Sequence, residues 1–274
     1  MTIKNLGNTC YLDSVLQCLF HTKSIQRYIN VTHNKDPVFV AFANLMRDVL
    51  GGVEGNPEVF YRFVKATHSD FDNNCHHDAH EALMVILEML SKSFGRISDT
   101  MFHSKSRRAL LAWGKSYDII DEIFRVMYRC VYRCKACGHE QTTYDTDYCV
   151  YDNVLYTEQL EHYRCDRCKT VNKTVRKQTV AHNPQTLITV HKKDLPGKEF
   201  RFGNNIYKTF AVVSHVKFDE RTGHYNAHVL EDDEWILKDN MDLKVKFKPV
   251  ISFAEIVKNI SQTDQRTPRA PDDP

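Results

Sequence analysis

The chain has 274 residues, 42% apolar and 26% charged, with a formal net charge of +2 at pH 7. That length buries a full core, and the near-zero charge gives no ground for an obligatory nucleic-acid partner. The longest apolar stretch, Ala82–Leu90, is interrupted by Glu88 and too short to span a bilayer. No signal-peptide core precedes residue 10, so the expectation is a soluble intracellular protein, cytoplasmic or nuclear.

In chain order, Asn5-Leu6-Gly7-Asn8-Thr9-Cys10-Tyr11 is a polar turn that runs into the apolar-periodic segment Leu12–Phe20. Cys10 therefore falls at a helix N-terminus, where the dipole and free N–H groups favour a thiolate and can hold an oxyanion. A small buried hydrophobe is the alternative for any single cysteine. Asp36 and Asn56 each precede a proline and an apolar period, which predicts two N-capped helices. A third helix is predicted over Asp78–Phe94, with Asp78 and Glu81 on one face of its first turn. Ordinary helix N-terminal charge also accounts for that pair.

Beyond Asp118 the texture changes to strands, predicted at Phe124–Cys134, Thr186–Val190, Tyr207–Phe218 and Ala227–Leu237. Helices first and strands later predict an α+β fold. Nine cysteines include two Cys-x-x-Cys knuckles, Cys134/Cys137 and Cys165/Cys168, separated by 27 residues. In a reducing compartment this spacing suits four thiolates around one zinc ion. Cys130, Cys149 and His162 are spare ligands expected to pack or face solvent. Arg164, Arg167, Lys169, Lys173, Arg176 and Lys177 form a basic cluster, read as a solvated face with a phosphate contact as the alternative.

Thr222-Gly223-His224-Tyr225 lies where one strand pattern stops and the next begins, so His224 can project from a hairpin toward Cys10 as a base. Asp239, at the end of the following strand, supplies a carboxylate to orient the imidazole. The polar segment 259–274 is predicted to be a disordered tail.

These segments together resemble the ubiquitin-specific protease family, whose cysteine box reads close to N-x-G-N-T-C-Y-M-N-S and whose histidine box ends in G-H-Y, followed by W-x-x-x-D/N. The resemblance spans about residues 3–255 and adds Trp235 with Asp239, and His76-His77-Asp78-Ala79-His80-Glu81, similar to Q-Q-D-A-H-E. It implies a papain-like hand in one catalytic domain, 1–258, interrupted by an insertion. The thumb runs to about residue 117, zinc-bearing fingers cover about 118–177, and an antiparallel palm covers about 178–258.

By position it makes Cys10 the nucleophile, His224 the base, Asp239 the orienting residue and Asn5 the oxyanion donor. Asp78, Glu81 and Tyr225 fall where the family grips the tail of ubiquitin. Cys134, Cys137, Cys165 and Cys168 would hold one structural zinc, and the chemistry uses no catalytic cofactor. The implied activity is hydrolysis of the isopeptide bond after ubiquitin's C-terminal glycine, by a monomer whose partners are ubiquitin and ubiquitinated proteins.

Several positions depart from the family. His76 and His77 replace glutamines, Ala82 a phenylalanine and Asp13 an asparagine, and Asn240 stands where a second acid is common. The segment 194–205 is shorter than the usual connection, which implies a more open tail channel. Rival readings are a catalytically silent ubiquitin-binding module, a protease for a ubiquitin-like modifier, and a zinc-ribbon protein that binds nucleic acid.

Overall fold

The computed structural model describes residues 2–73, 75–95, 117–151, 154–191, 199–218, 222–239 and 248–259. Helices come first: α1 (Cys10–Phe20), α2 (Lys23–Val31), α3 (Pro37–Leu50), α4 (Glu58–Thr67), α5 (Ala79–Phe94) and a short α6 (Ile119–Phe124). Every residue of α1 is buried, as in a helix enclosed on all sides. It packs on α2 and α5 on one side and on the large sheet on the other. Among the described residues no helix is long and apolar enough to cross a membrane.

Local chemistry sets the helix starts. Asp36 caps α3, its Oδ1 accepting from Val38 N at 2.9 Å and Phe39 N at 3.2 Å. α4 begins one residue later than its sequence predicts: Pro57 takes the N-cap position, and Asn56 Oδ1 accepts from Glu58 N at 3.1 Å. Phe42 of α3 meets Phe20, Phe60 and Phe94 at ring-centroid distances of 5.2, 5.6 and 5.9 Å, which ties four helices into one core.

Two sheets follow. The smaller is built from β1 (Val126–Cys134), β2 (Glu140–Asp147), β4 (Thr157–Arg164) and β5 (Val171–His182), antiparallel in the order β2-β1-β5-β4. The larger is built from β3 (Cys149–Tyr151), β6 (Thr186–Val190), β8 (Asn205–Lys217), β9 (Gly223–Glu231), β10 (Glu234–Lys238) and β11 (Lys248–Asn259). Its order is β10-β9-β8-β11-β6-β3, and β7 (Glu199–Phe202) pairs with β8.

The α+β class expected from the sequence is the observed one, with three local corrections. The antiparallel palm carries one parallel pair, β3 with β6. The chain leaves β3, builds β4 and β5 in the small sheet, and returns in the same direction, which is a crossover rather than a hairpin. Phe124 ends α6 instead of opening a strand, because Asp118 and Asp121 form a capping box and Ile120, Ile123 and Phe124 all pack inward. Ala227–Leu237 is two strands: Asp232 and Asp233 take φ of 47° and 64°, the left-handed pair that closes a two-residue hairpin between β9 and β10.

Asn259, expected to open the disordered tail 259–274, instead ends β11; residues 260–274, Asn240, 194–198 of the short connection and 96–116 of the expected thumb lie outside the described residues.

Candidate active site

The turn before α1 uses two successive left-handed residues, Gly7 at φ 98° and Asn8 at φ 53°. Glycine takes this conformation freely and asparagine with little cost. Cys10 becomes the first residue of α1, and no side chain caps the helix N-terminus. Thr9 holds the N-cap position, yet its hydroxyl turns into the preceding loop: Oγ1 lies 3.1 Å from Leu6 N, 3.2 Å from Asn5 Oδ1 and 3.0 Å from Asp13 Oδ2. The positive end of α1 is thus left for an anion.

β8 and β9 pair so that Lys217 faces Gly223 and Val216 faces His224. A Cβ on Gly223 would lie 2.7 Å from the Val216 backbone oxygen, so glycine lets β9 start this close to its neighbour. β10 folds back along β9 until Lys238 sits opposite Ala227, and Asp239 comes next. His224 Nε2–H donates to Asp239 Oδ1 at 2.8 Å and Oδ2 at 2.9 Å, with both side chains almost wholly buried.

The other ring nitrogen is left for the Cys10 thiol, which also hydrogen-bonds the imidazole. The bond to Asp239 and then the bond to Cys10 push His224 up to about 9, against the effect of burial. An imidazole held protonated beside a cysteine at a positive helix end is the arrangement of an activated thiol nucleophile.

Asn5, Cys10, Asp13, His224 and Asp239 line one cavity of about 20 Å³. Within it, Asp13 is the member whose role its sequence does not reveal. Its Oδ1 accepts from the Tyr61 hydroxyl at 2.5 Å, and its Oδ2 faces Thr9. Burial pushes the carboxyl up to about 8; the Tyr61 and Thr9 hydrogen bonds pull the other way and lose, and the charge of Asp239 adds to the rise. Tyr61 belongs to α4 and to no motif, so nothing local announces the pair.

Asp78 caps α5, its Oδ1 accepting from His80 N at 2.7 Å and Glu81 N at 3.2 Å. Tyr225 reaches the same place, hydrogen-bonded to Asp78 and to the Ala79 backbone, and burial pushes its hydroxyl up to about 12. Asp78 and Tyr225 line a second cavity of about 240 Å³ with His76, His77, His215 and Lys217. Tyr225 borders both cavities. Glu81 is exposed on α5 and lines neither. His215, whose ring centroid is 4.2 Å from that of Tyr225, was not singled out by the sequence, since only its position across from β9 gives it significance.

Far from the cleft, Cys134, Cys137, Cys165 and Cys168 bring their Sγ atoms within 4.8 Å of one another. The Cys134–Cys168 and Cys137–Cys165 pairs are 3.9 and 3.7 Å apart. A zinc ion bonded to four thiolates in a tetrahedron needs sulfur separations of about 3.8 Å, so the donor set fits that metal. The spare cysteines stay out: Cys130 contacts Asp145 and Gln178, and Cys149 packs against Met84. The basic cluster is partly matched, with Arg176 on Glu158 at 3.2 Å and Lys173 on Glu161 at 3.2 Å.

The pattern that defines the ubiquitin carboxyl-terminal hydrolases matches residues 1–251. The chain belongs to that family. Among curated ubiquitin carboxyl-terminal hydrolases it is similar to number 23 of Arabidopsis thaliana, 23% identical over 91% of this chain and 34% of the relative. It is also 23% identical to Usp2 of Drosophila melanogaster, over 70% of this chain and 24% of the relative, so it spans about a quarter to a third of these two proteins. A hydrolase of Salmo salar, number 12, aligns over 95% of this chain and 86% of its own length at 23% identity.

Among solved structures, the fold resembles a SAGA DUB module of Ubp8, Sgf11, Sus1 and Sgf73 bound to monoubiquitin. The TM-score is 0.70 at 15% identity, covering 94% of this chain and 69% of that one. The same module bound to ubiquitin aldehyde gives a TM-score of 0.69 at 15% identity, over 94% and 70% of the two chains.

Proposed function

We propose that this chain is a deubiquitinating cysteine protease that hydrolyses the isopeptide bond after the C-terminal glycine of ubiquitin. One observation carries the reading: Cys10, at the open end of α1, shares His224 with Asp239, and the imidazole is held protonated. Family membership and ubiquitin-bound structural neighbours support the choice of substrate.

In this mechanism the Cys10 thiolate attacks the glycine carbonyl carbon, and the oxyanion forms between the N-terminus of α1 and the Asn5 carboxamide. The C–N bond breaks as His224 gives its proton to the leaving lysine amine. The neutral imidazole then takes a proton from water, which attacks the thioester and releases the ubiquitin carboxylate and the thiol. Asp239 keeps the ring oriented throughout.

The cavity bordered by Asp78 and Tyr225 receives the ubiquitin tail, and Glu81 meets it from the exposed face of α5. One zinc ion on Cys134, Cys137, Cys165 and Cys168 would tie the end of the small sheet and take no part in bond breaking. The nine cysteines, none of them in a disulfide, suit a reducing compartment, cytosol or nucleus.

The test is covalent labelling by ubiquitin bearing a C-terminal thiol-reactive group, with ubiquitin-like probes as controls. Labelling is expected for wild type and absent in Cys10→Ala. Folded protein that reacts with no probe would overturn the enzyme assignment in favour of a binding module, and preference for another probe would change the modifier.

A further inference from the structure

The oxygen of Asn5 decides what its nitrogen can do. Gly7 N–H donates to Asn5 Oδ1 at 2.8 Å, so the oxygen is turned into the loop and Nδ2 is the group presented away from it. Asn5 lines the cavity that holds Cys10 and His224. A second contact on the same oxygen comes from Thr9, whose Oγ1 also faces Asp13 Oδ2 and already accepts from Leu6 N.

Thr9 has one hydroxyl proton and two neighbours that both accept when Asp13 is ionised. A buried carboxylate outcompetes an amide oxygen for that proton, leaving Asn5 Oδ1 against a hydroxyl lone pair at 3.2 Å. When Asp13 is protonated the conflict disappears. Tyr61 donates to Oδ1, so the acid proton sits on Oδ2 and goes to Thr9 Oγ1, and the Thr9 proton goes to Asn5 Oδ1. Tyr61, Asp13, Thr9 and Asn5 then form one chain of donors running in a single direction.

We propose that Asp13 is a positioning residue that, as a neutral carboxylic acid, acts through Thr9 to hold the Asn5 carboxamide with Nδ2 toward the oxyanion formed at Cys10. The proposal rests on the deubiquitinase reading, in which Asn5 is the oxyanion donor. Burial, which pushes Asp13 up to about 8, keeps the required proton in place at neutral pH.

The groups facing Asp13 from each packed element act in both directions: the charge of Asp239 favours the neutral acid, Tyr61, Thr9 and His224 oppose it, and burial outweighs them. Tyr61 comes from α4, Cys10 and Tyr11 from its own helix, His224 from β9, and Lys238 and Asp239 from the end of β10. Lys238 is paired with Glu231 at 2.7 Å, and the His224 charge is matched by Asp239, which limits how far these cations can ionise Asp13.

Two measurements on the whole chain test the relay. The first reads the Asn5 side-chain amide in ¹⁵N-resolved NMR, assigned with Asn5→Asp, across pH 6 to 10. Its signal should shift with the ionisation of Asp13 in wild type, stay flat over that step in Asp13→Asn, which keeps a donor facing Thr9, and uncouple in Thr9→Val. The second reads kcat and KM. Wild-type kcat should fall about tenfold per pH unit above the Asp13 midpoint, toward the ~10²–10³-fold loss that follows removal of one oxyanion donor, with KM unchanged. In Asp13→Asn the fall should move up to the pH at which His224 loses its proton.

A wild-type Asn5 signal that ignores pH, or an alkaline fall that is identical in Asp13→Asn, would overturn the proposal. Wild type that turns over no ubiquitin substrate while its Asn5 signal still titrates through Asp13 would instead overturn the deubiquitinase reading and leave the relay standing.

Discussion

Two protons sit at the candidate centre where solution chemistry would not keep them, for opposite reasons. His224 is held protonated by partners, Asp239 first and Cys10 second. Asp13 is held protonated by burial, in spite of its partners. The His224 pKa lies above its unfolded value, so the ion pair with Asp239 stabilises the fold fully below about pH 6.5 and fades as pH rises through about 9. Asp239→Asn should therefore lower Tm more at pH 6 than at pH 10, a difference on the order of 1–3 kcal/mol in thermal melts. The same variant should lose about 10²–10⁴-fold in kcat/KM, because the amide no longer selects the productive imidazole tautomer. Equal destabilisation at both pH values would show that the pair contributes by packing alone.

At the scale of elements, short signals are read correctly where one residue type meets one backbone need. Asp36 before Pro37 caps α3, and the glycine and asparagine before Cys10 turn the chain into α1. The two knuckles show the same logic with unequal quality. Gly138 and Lys169 occupy matching positions, at φ 69° and 60°, and their N–H groups bond Cys134 O at 3.0 Å and Cys165 O at 2.9 Å. Glycine is at ease there, whereas a lysine bears about 1 kcal/mol of steric cost. Gly138→Ala should weaken zinc retention about fivefold, and Lys169→Gly should strengthen it by a similar or smaller factor, as read by competition with a chelator. Loss of zinc affinity in Lys169→Gly would mean that the lysine side chain, not the turn, matters. The β9–β10 hairpin was hidden because two aspartates, rather than Asn-Gly, close it.

For the molecule as a whole, stability is unevenly spread. One apolar cluster joins the helices to the inner face of the large sheet, and a second, smaller one lies around Tyr207, Leu187 and Val126. β2 and β4 of the small sheet bury no residue fully, so their distal end depends on the four thiols rather than on a core. Zinc removal by a chelator, or Cys168→Ser, should raise hydrogen exchange across β2 and β4 while α1 and β8 stay protected. Labelling of Cys10 by a small thiol reagent should persist, with KM for a ubiquitin substrate rising several-fold. Global unfolding on zinc loss would show that the two sheets form one cooperative unit.

The sequence by itself determined the residue types that chemistry cannot replace and the spacing that local geometry requires: the Cys10 turn, the Gly223-His224 step with Asp239, the paired knuckles, and helices giving way to strands. Tertiary structure decided what depends on partners far along the chain. The parallel edge of the large sheet, the meeting of Asp78 with Tyr225, and the exclusion of Glu81 from their cavity follow from packing between elements. The proton on Asp13 is the clearest case, because desolvation holds it there against the pull of the Tyr61 hydroxyl 48 residues away. A carboxyl's neighbours in sequence fix neither its burial nor its hydrogen bonds, and those two quantities decide whether it is an acid or an anion.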